Sequence, residues 1–144
     1  TDTVAFVEPG TPAGYRRVLD ARAAVLSAAG STVAPCPHDL HCPLPPDDWC
    51  HFAARLPRSK LHRRAKGADL GWEDEKFSYA VLTREPVRPA AARIIRRPLR
   101  RRGYVELVTS ESDGEVRERR VAKSAGGAYK RARKAGWGDA LDVS

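Results

Sequence analysis

Outside one fifteen-residue window the chain has no cysteine at all. Most of its 144 residues therefore have nothing to staple, and the odd count of three thiols argues against a disulfide framework. No apolar run approaches the roughly 20 residues that a membrane helix needs, which excludes a spanning helix, and no secretory signal is expected. No G-x-G-x-x-G loop is present, so a complete cofactor site is not supported. Neither an RNP-type nor a helix-turn-helix pattern occurs, which argues against sequence-specific readout of nucleic acid. Internal repeats and low-complexity segments are absent too. Aromatic residues are sparse at 7%, yet 42% of the chain is hydrophobic. That makes it globular and long enough for a real core.

What is present is concentrated. Ala34-Pro35-Cys36-Pro37-His38-Asp39-Leu40-His41-Cys42-Pro43-Leu44 and Asp48-Trp49-Cys50-His51-Phe52 hold every thiol, in the spacing C-x5-C-x7-C. A metal ion or iron–sulfur cluster must be reached by several soft thiolates at once, and a Pro-stiffened loop can hold them together. Three unrelated buried thiols, or one disulfide plus a free thiol, are the alternatives. Cys36, Cys42 and Cys50 leave a fourth ligand position. His38, His41 and His51 are candidates, and His38 is the best placed because His51 adjoins Cys50. Zinc would take a Cys3His tetrahedron; a four-iron cluster could take a non-Cys ligand or solvent. A cytosolic or organellar compartment fits reduced thiols.

The net charge of +8 is uneven. Residues 1–50 hold three Arg against six acids, whereas residues 51–144 hold 23 Lys and Arg against 12 acids. Arg88, Arg93, Arg96, Arg97, Arg100, Arg101 and Arg102 follow one another with no intervening acid, and Lys130, Arg131, Arg133 and Lys134 form a second cluster beside Trp137. Such charge is either a solubilising surface or a polyanion-binding face driven by counterion release. The asymmetry favours the second, with backbone and shape recognition of structured RNA as the expectation.

The order of elements reads as α/β. Thr3–Val7 is a buried strand, ended by Glu8-Pro9-Gly10-Thr11-Pro12. That turn by itself reads as a strand stop; it also sets a carboxylate (Glu8) and a backbone nest (Gly10) where a cofactor could sit. Gly14–Ala29 has helical periodicity, with Val18, Leu19, Val25 and Leu26 on one face and Arg16, Arg17, Asp20 and Arg22 largely off it; Gly30 is the expected stop. Residues 51–66 are expected to be partly helical, with Ser59 capping a basic helix to Lys66. Phe77–Thr83, Ile94-Ile95, Tyr104–Thr109 and Val116–Val121 read as strands, the last two joined by an Asp-Gly turn. Arg100–Gly103 is expected to be a basic turn, and Tyr129–Lys134 a helix. The chain divides into residues 1–30, 31–66 and 67–144 of a single domain or fragment. Its start without Met suggests the middle of a larger protein.

Glu8-Pro9-Gly10-Thr11-Pro12 with Gly14, the three cysteine segments, Arg58-Ser59, Glu75-Lys76-Phe77-Ser78-Tyr79, Arg93-Ile94-Ile95 and Trp137-Gly138-Asp139 also occur in the order of a known family. The chain resembles the carboxyl-terminal half of the methyltransferase-like proteins of the small ribosomal subunit, found in mitochondria and bacteria. The resemblance implies the C-terminal part of a class I (Rossmann-like) methyltransferase fold, with an inserted cysteine loop and a C-terminal β-hairpin plus basic helix. It implies association with small-subunit rRNA during assembly, in the bacterial cytoplasm or mitochondrial matrix. It also implies a [4Fe-4S] cluster on Cys36, Cys42 and Cys50, with zinc as the alternative. The family's fourth cysteine falls near Val108–Ser110, where this chain has none. S-adenosylmethionine would bind only in a full-length protein, since the family's glycine-bearing first strand lies before Thr1; this chain alone is expected to be inactive. A non-catalytic metal-stabilised RNA-binding module and a cluster-based redox or iron sensor are the rival readings.

Overall fold

The computed structural model describes residues 2–142. The first strand, β1, spans Thr3–Pro9. Pro12 then opens helix α1 (Pro12–Ser27), at a position where its missing N–H has no helical partner to lose. Thr11 caps the helix by accepting a hydrogen bond from the Gly14 N–H at 3.1 Å. The helix ends two residues before the predicted last helical residue, Ala29. Ala29 takes the left-handed conformation (φ 61°), and the Gly30 N–H returns to the Val25 carbonyl at 3.0 Å.

Strand β2 (Ser31–Ala34) leads into the cysteine loop, which ends at β3 (Phe52–Pro57). The expected partial helix over 51–57 is thus a strand. Pairing with the next long strand, from Phe52 opposite Phe77 to Pro57 opposite Trp72, overrides the helical propensity of Ala53 and Ala54. Helix α2 (Lys60–Lys66) follows, capped by Ser59 as predicted. Strand β4 (Trp72–Thr83) begins five residues earlier than predicted, because its acidic start is matched across the pair. Asp74 meets Arg55 at 2.9 Å and Glu73 meets Arg58 at 3.0 Å.

In the first sheet β4 is central. It pairs antiparallel with β1 on one side and with β2 and β3 on the other. Strands β1 and β2, both antiparallel to β4, therefore run parallel to each other, with α1 as their crossover and a reversed strand between them.

The second sheet comprises β5 (Ala92–Ile94), β6 (Leu99–Arg101), β7 (Tyr104–Glu111), β8 (Val116–Ala122) and β9 (Ala140–Leu141), again antiparallel. The predicted basic turn is partly strand: β6 folds back on β7 through Gly103, whose φ is +87°. The Asp113-Gly114 hairpin joins β7 and β8 as expected. Helix α3 (Gly127–Lys134) packs on this sheet.

Two separate apolar clusters result. Val18, Ala80 and Leu82, with Phe6, Val25 and Leu26, form the first; Ile94, Val105, Leu107, Ala132 and Ala135, with Val121, Tyr129 and Leu141, form the second. Among the described residues no helix is long and apolar enough to cross a membrane.

Gly14 sits where α1 leaves the end of β1. A Cβ there would strike the Pro9 carbonyl oxygen and approach the Glu8 Cβ at 3.2 Å. Gly14→Ala gains about 1 kcal/mol of helix propensity, but overpacking against fixed backbone costs roughly 1–3 kcal/mol. A net loss of up to about 2 kcal/mol is expected from these magnitudes. A chemical-denaturation midpoint at or above the parent's would refute this.

Candidate metal centre

Five prolines between Pro35 and Pro46 leave the cysteine loop short of backbone donors, so it cannot run as a ladder strand. Its carbonyls are instead captured by side chains from other elements. Arg22 on α1 donates to the His38 carbonyl at 2.7 Å, the Leu40 carbonyl at 3.0 Å and Thr32 Oγ1 at 3.2 Å. Arg93 donates to the Pro35 carbonyl at 2.7 Å and to the Gly138 carbonyl at 2.9 Å. Ser78 on β4 donates to the Cys50 carbonyl at 2.8 Å. Arg96 pairs with Asp48 at 2.6 Å, and Trp49 Nε1 donates to the Gly10 carbonyl at 3.0 Å. The loop is thus fastened to both sheets.

Cys36, Cys42 and Cys50 are free thiols lining one cavity of about 30 Å³. Tyr15 and Arg22 come to it from α1, Ser78 and Tyr79 from β4, and Ile95, Ser110 and Val116 from the second sheet. No carboxylate and no imidazole lines it. The Tyr15 hydroxyl is 2.9 Å from Cys42 Sγ. Ser110 on β7 is buried and lines the same cavity. The lining therefore offers three soft thiols and the hydroxyls of Tyr15, Ser78, Tyr79 and Ser110, a set that suits a thiophilic centre better than a hard cation. Among the described residues, no three His, Cys, Asp or Glu side chains stand together as a grip on a single ion.

Electrostatics ties the three thiols together. Burial pushes the Cys36 thiol up to about 11, against a pull downward from Arg22 and Arg93. Burial raises Cys50 further, and the charges of Cys36 and Cys42 add to it. Burial and the bond to Cys42 raise the Tyr15 hydroxyl. Neither Arg22 nor Arg93 has a carboxylate partner among the described residues, although Arg22 is only 6% exposed. One buried and one half-buried cation without a salt-bridge partner, beside three thiols, are suited to an anionic thiolate centre.

His38, read from the sequence as the fourth ligand, does not line the cavity. It is buried, and neither ring nitrogen has a partner in hydrogen-bonding geometry, the nearby Leu40 backbone included. Burial first, then Arg22, lowers its pKa and favours the neutral imidazole. His41 is exposed. His51 stacks on Trp49 with ring centroids 5.4 Å apart and meets Trp137 edge-on.

The proposed cofactor residues are both engaged within the chain. Glu8 pairs with Arg17 at 2.8 Å. The Gly10 N–H donates to the Lys76 carbonyl at 2.9 Å, and a Cβ at Gly10 would lie 2.8 Å from the Lys76 backbone. Gly10 is thus required for the close approach of β1 to β4.

The basic run divides into two groups. Arg93 and Arg96 hold the cysteine loop, and Arg100 caps α3 by donating to the Arg133 and Ala135 carbonyls at 2.9 and 2.7 Å. Arg97, Arg101 and Arg102 are exposed and form no salt bridge among the described residues; the same holds for Lys130, Arg131, Arg133 and Lys134 on α3. Tyr104 lies under the Arg120 guanidinium, 4.4 Å from ring centre to Cζ.

Sequence reasoning missed Arg22 and Tyr15, whereas the resemblance pointed to the neighbourhood of Ser110, where the family's fourth cysteine falls. For Arg22 a signal existed: it stands four residues after Val18 and three before Val25, which puts it on the buried stripe of α1.

A family model described as "Mitochondrial small ribosomal subunit Rsm22" matches residues 1–142. The chain belongs to the Rsm22 family. Among the family's curated relatives, the human "Ribosome assembly protein METTL17, mitochondrial" is 30% identical over 96% of this chain and 32% of its own length. The Schizosaccharomyces pombe "Rsm22-cox11 tandem protein 2, mitochondrial" is 29% identical over 92% of this chain and 23% of its own. The chain thus spans about a quarter to a third of the curated Rsm22 relatives it matches.

Arg22→Leu removes the buried guanidinium that joins α1 to the loop and orphans two carbonyls. From the cost of lost charged hydrogen bonds, a destabilisation of about 2–4 kcal/mol is expected in urea unfolding. A change below about 1 kcal/mol, the worth of one ordinary hydrogen bond, would show that the loop is held by other means.

Proposed function

We propose that this chain is the part of a small-subunit assembly protein that joins two sheets through a thiolate-held iron–sulfur centre and presents the second sheet's basic surface to rRNA. The observation that carries the reading is the convergence of Cys36, Cys42 and Cys50 on one carboxylate-free cavity reached from both sheets, beside Arg22 and Arg93. A cluster of several irons holds its thiolates further apart than a single ion does. Three thiols around one cavity suit such a centre, with zinc as the alternative. When bound, such a cluster supplies a cross-link and one-electron redox capacity.

The chain's own residues have distinct parts. The three thiols hold the centre, and Ser110, which lines the cavity from the second sheet, is an oxygen candidate for the fourth position. Tyr15 directs its hydroxyl at the Cys42 sulfur, and Arg22 and Arg93 balance the thiolate charge. Strand order β1-β4-β2, with α1 crossing over a reversed strand, suits the late strands of a Rossmann-like methyltransferase sheet. Glu8 and Gly10 are engaged within the chain, so no described residue is given a part in methyl transfer and the non-catalytic reading is favoured. The compartment is that of the ribosome it serves, mitochondrial matrix or bacterial cytoplasm.

Chain purified without air is expected to show a broad absorption near the blue end of the visible spectrum, with iron and sulfide in equal amounts. Cys42→Ser should lose iron and melt at a lower temperature, since ligand-binding energy is folding energy. A colourless zinc protein, or unchanged metal content and melting in the variant, would contradict the reading.

For the RNA surface, Arg101→Ala with Arg102→Ala leaves the α3 cap of Arg100 intact. Binding to small-subunit rRNA should weaken, and the salt dependence should flatten by roughly 0.9 per lost phosphate contact. Unchanged affinity and slope would make the run a solubilising surface.

A further inference from the structure

Beyond the second sheet's cations, a second basic surface lies at the far end of the first. Only the C-terminal half of β4 is flanked by β1 and β2; from Trp72 to Lys76 its partner is β3. Residues 52–76 therefore form a two-stranded arm. Six residues of β3 reach roughly 20 Å, and α2 sits at the tip with none of its residues buried. A lone two-stranded hairpin is marginal in water, and this one is braced by charge. Glu73, with its side chain 13% exposed, holds Arg58 at 3.0 Å and Lys66 at 3.1 Å and pairs with His62 at 3.5 Å. Arg55 pairs with Asp74 and lies 3.6 Å over the Trp72 ring.

The brace uses Arg58 and Lys66 but leaves Lys60, Arg63 and Arg64 without an acidic partner among the described residues. These three line one open concavity with Gly67, Ala68 and Asp69. Beside them Leu61 is 78% exposed. A braced arm that ends in free cations around a bare leucine is built for contact, not for packing within its own chain. The arm also adjoins the basic surface of the second sheet: Arg55 and Asp74 share a groove of about 360 Å³ with Arg97 and Trp137.

We propose that the tip of this arm, through Lys60, Arg63, Arg64 and Leu61, is a second docking site for the phosphate backbone of folded RNA. The inference rests on the RNA-binding reading above and extends it to a separate element. Charge selects the partner: the segment from Arg58 to Lys66 contains no acid, so a polyanion is matched where an ordinary protein surface is not. Two sites on one body, each binding weakly, gain from effective concentration, so losing the tip should cost more than its few contacts suggest.

The test uses the intact chain with its metal centre and in vitro transcribed small-subunit rRNA. Lys60→Glu with Arg64→Glu changes two exposed residues of a helix that buries nothing, so melting should not move. Affinity should fall about tenfold or more, and the salt slope should drop by roughly 1.8, the value for two phosphate contacts. Leu61→Ser should weaken binding without changing the slope. If the parent binds rRNA and the charge variant binds it with the same affinity and slope, the tip is not an RNA site and the rest of the reading stands. If the parent does not bind rRNA at all, the reading beneath it fails as well. A tip that loses an acidic protein partner while its RNA binding is unchanged overturns the proposal in the same way.

Discussion

A loop that carries five prolines in twelve residues cannot satisfy its own backbone, and the arrangement of this chain follows from that constraint. The carbonyls of Pro35, His38, Leu40 and Cys50 take their hydrogen bonds from Arg93, Arg22 and Ser78, which belong to three different elements. Each donor fixes the loop to a part of the fold that is itself secured by a core. The thiols are thereby placed without the loop having regular structure of its own.

The same bonds explain how two sheets with separate apolar clusters make one body. Leu82 and Ile94 are both fully buried, but in different clusters. Between the clusters, polar groups make many of the bonds that span the gap: Arg22, Arg93 and Asp48 with Arg96, beside the three thiols and the aromatic contacts of Phe52 and His51 with Trp137. The buried Arg22 guanidinium, with no salt-bridge partner among the described residues, is costly to bury unless negative charge is supplied. Thiolates around a metal centre are the group at hand to supply it. In the proposed reading the centre is a structural joint, and a change in it would be felt by the sheet that carries Arg101, Arg102 and α3.

Local chemistry made much of the fold legible in the sequence. Thr11 and Pro12 announce the start of α1, Ser59 announces α2, and Asp113-Gly114 announces the β7–β8 hairpin. The family was legible as well, because its short motifs keep their order along the chain. Long-range pairing was not legible. Phe52–Pro57 reads as helix by itself and becomes a strand only because Trp72–Phe77 lies opposite. The cysteine cluster was plain, but the choice of His38 beside it rested on sequence distance. Ser110, some sixty residues beyond the last thiol, reaches the cavity because β7 crosses the other sheet's loop, and spacing cannot report that. The Arg run likewise looked uniform, although Arg93, Arg96 and Arg100 hold backbone and carboxylate groups of the chain itself.

Hydrogen exchange, read segment by segment on chain with iron bound and again after chelation, tests the joint most directly. With the centre removed, protection should fall across residues 35–51 and along the edges where β4 and β7 face the loop, while Leu82 and Ile94, each inside its own cluster, keep theirs. Equal protection in both samples throughout the loop would contradict the claim that a thiolate-held centre joins the two sheets.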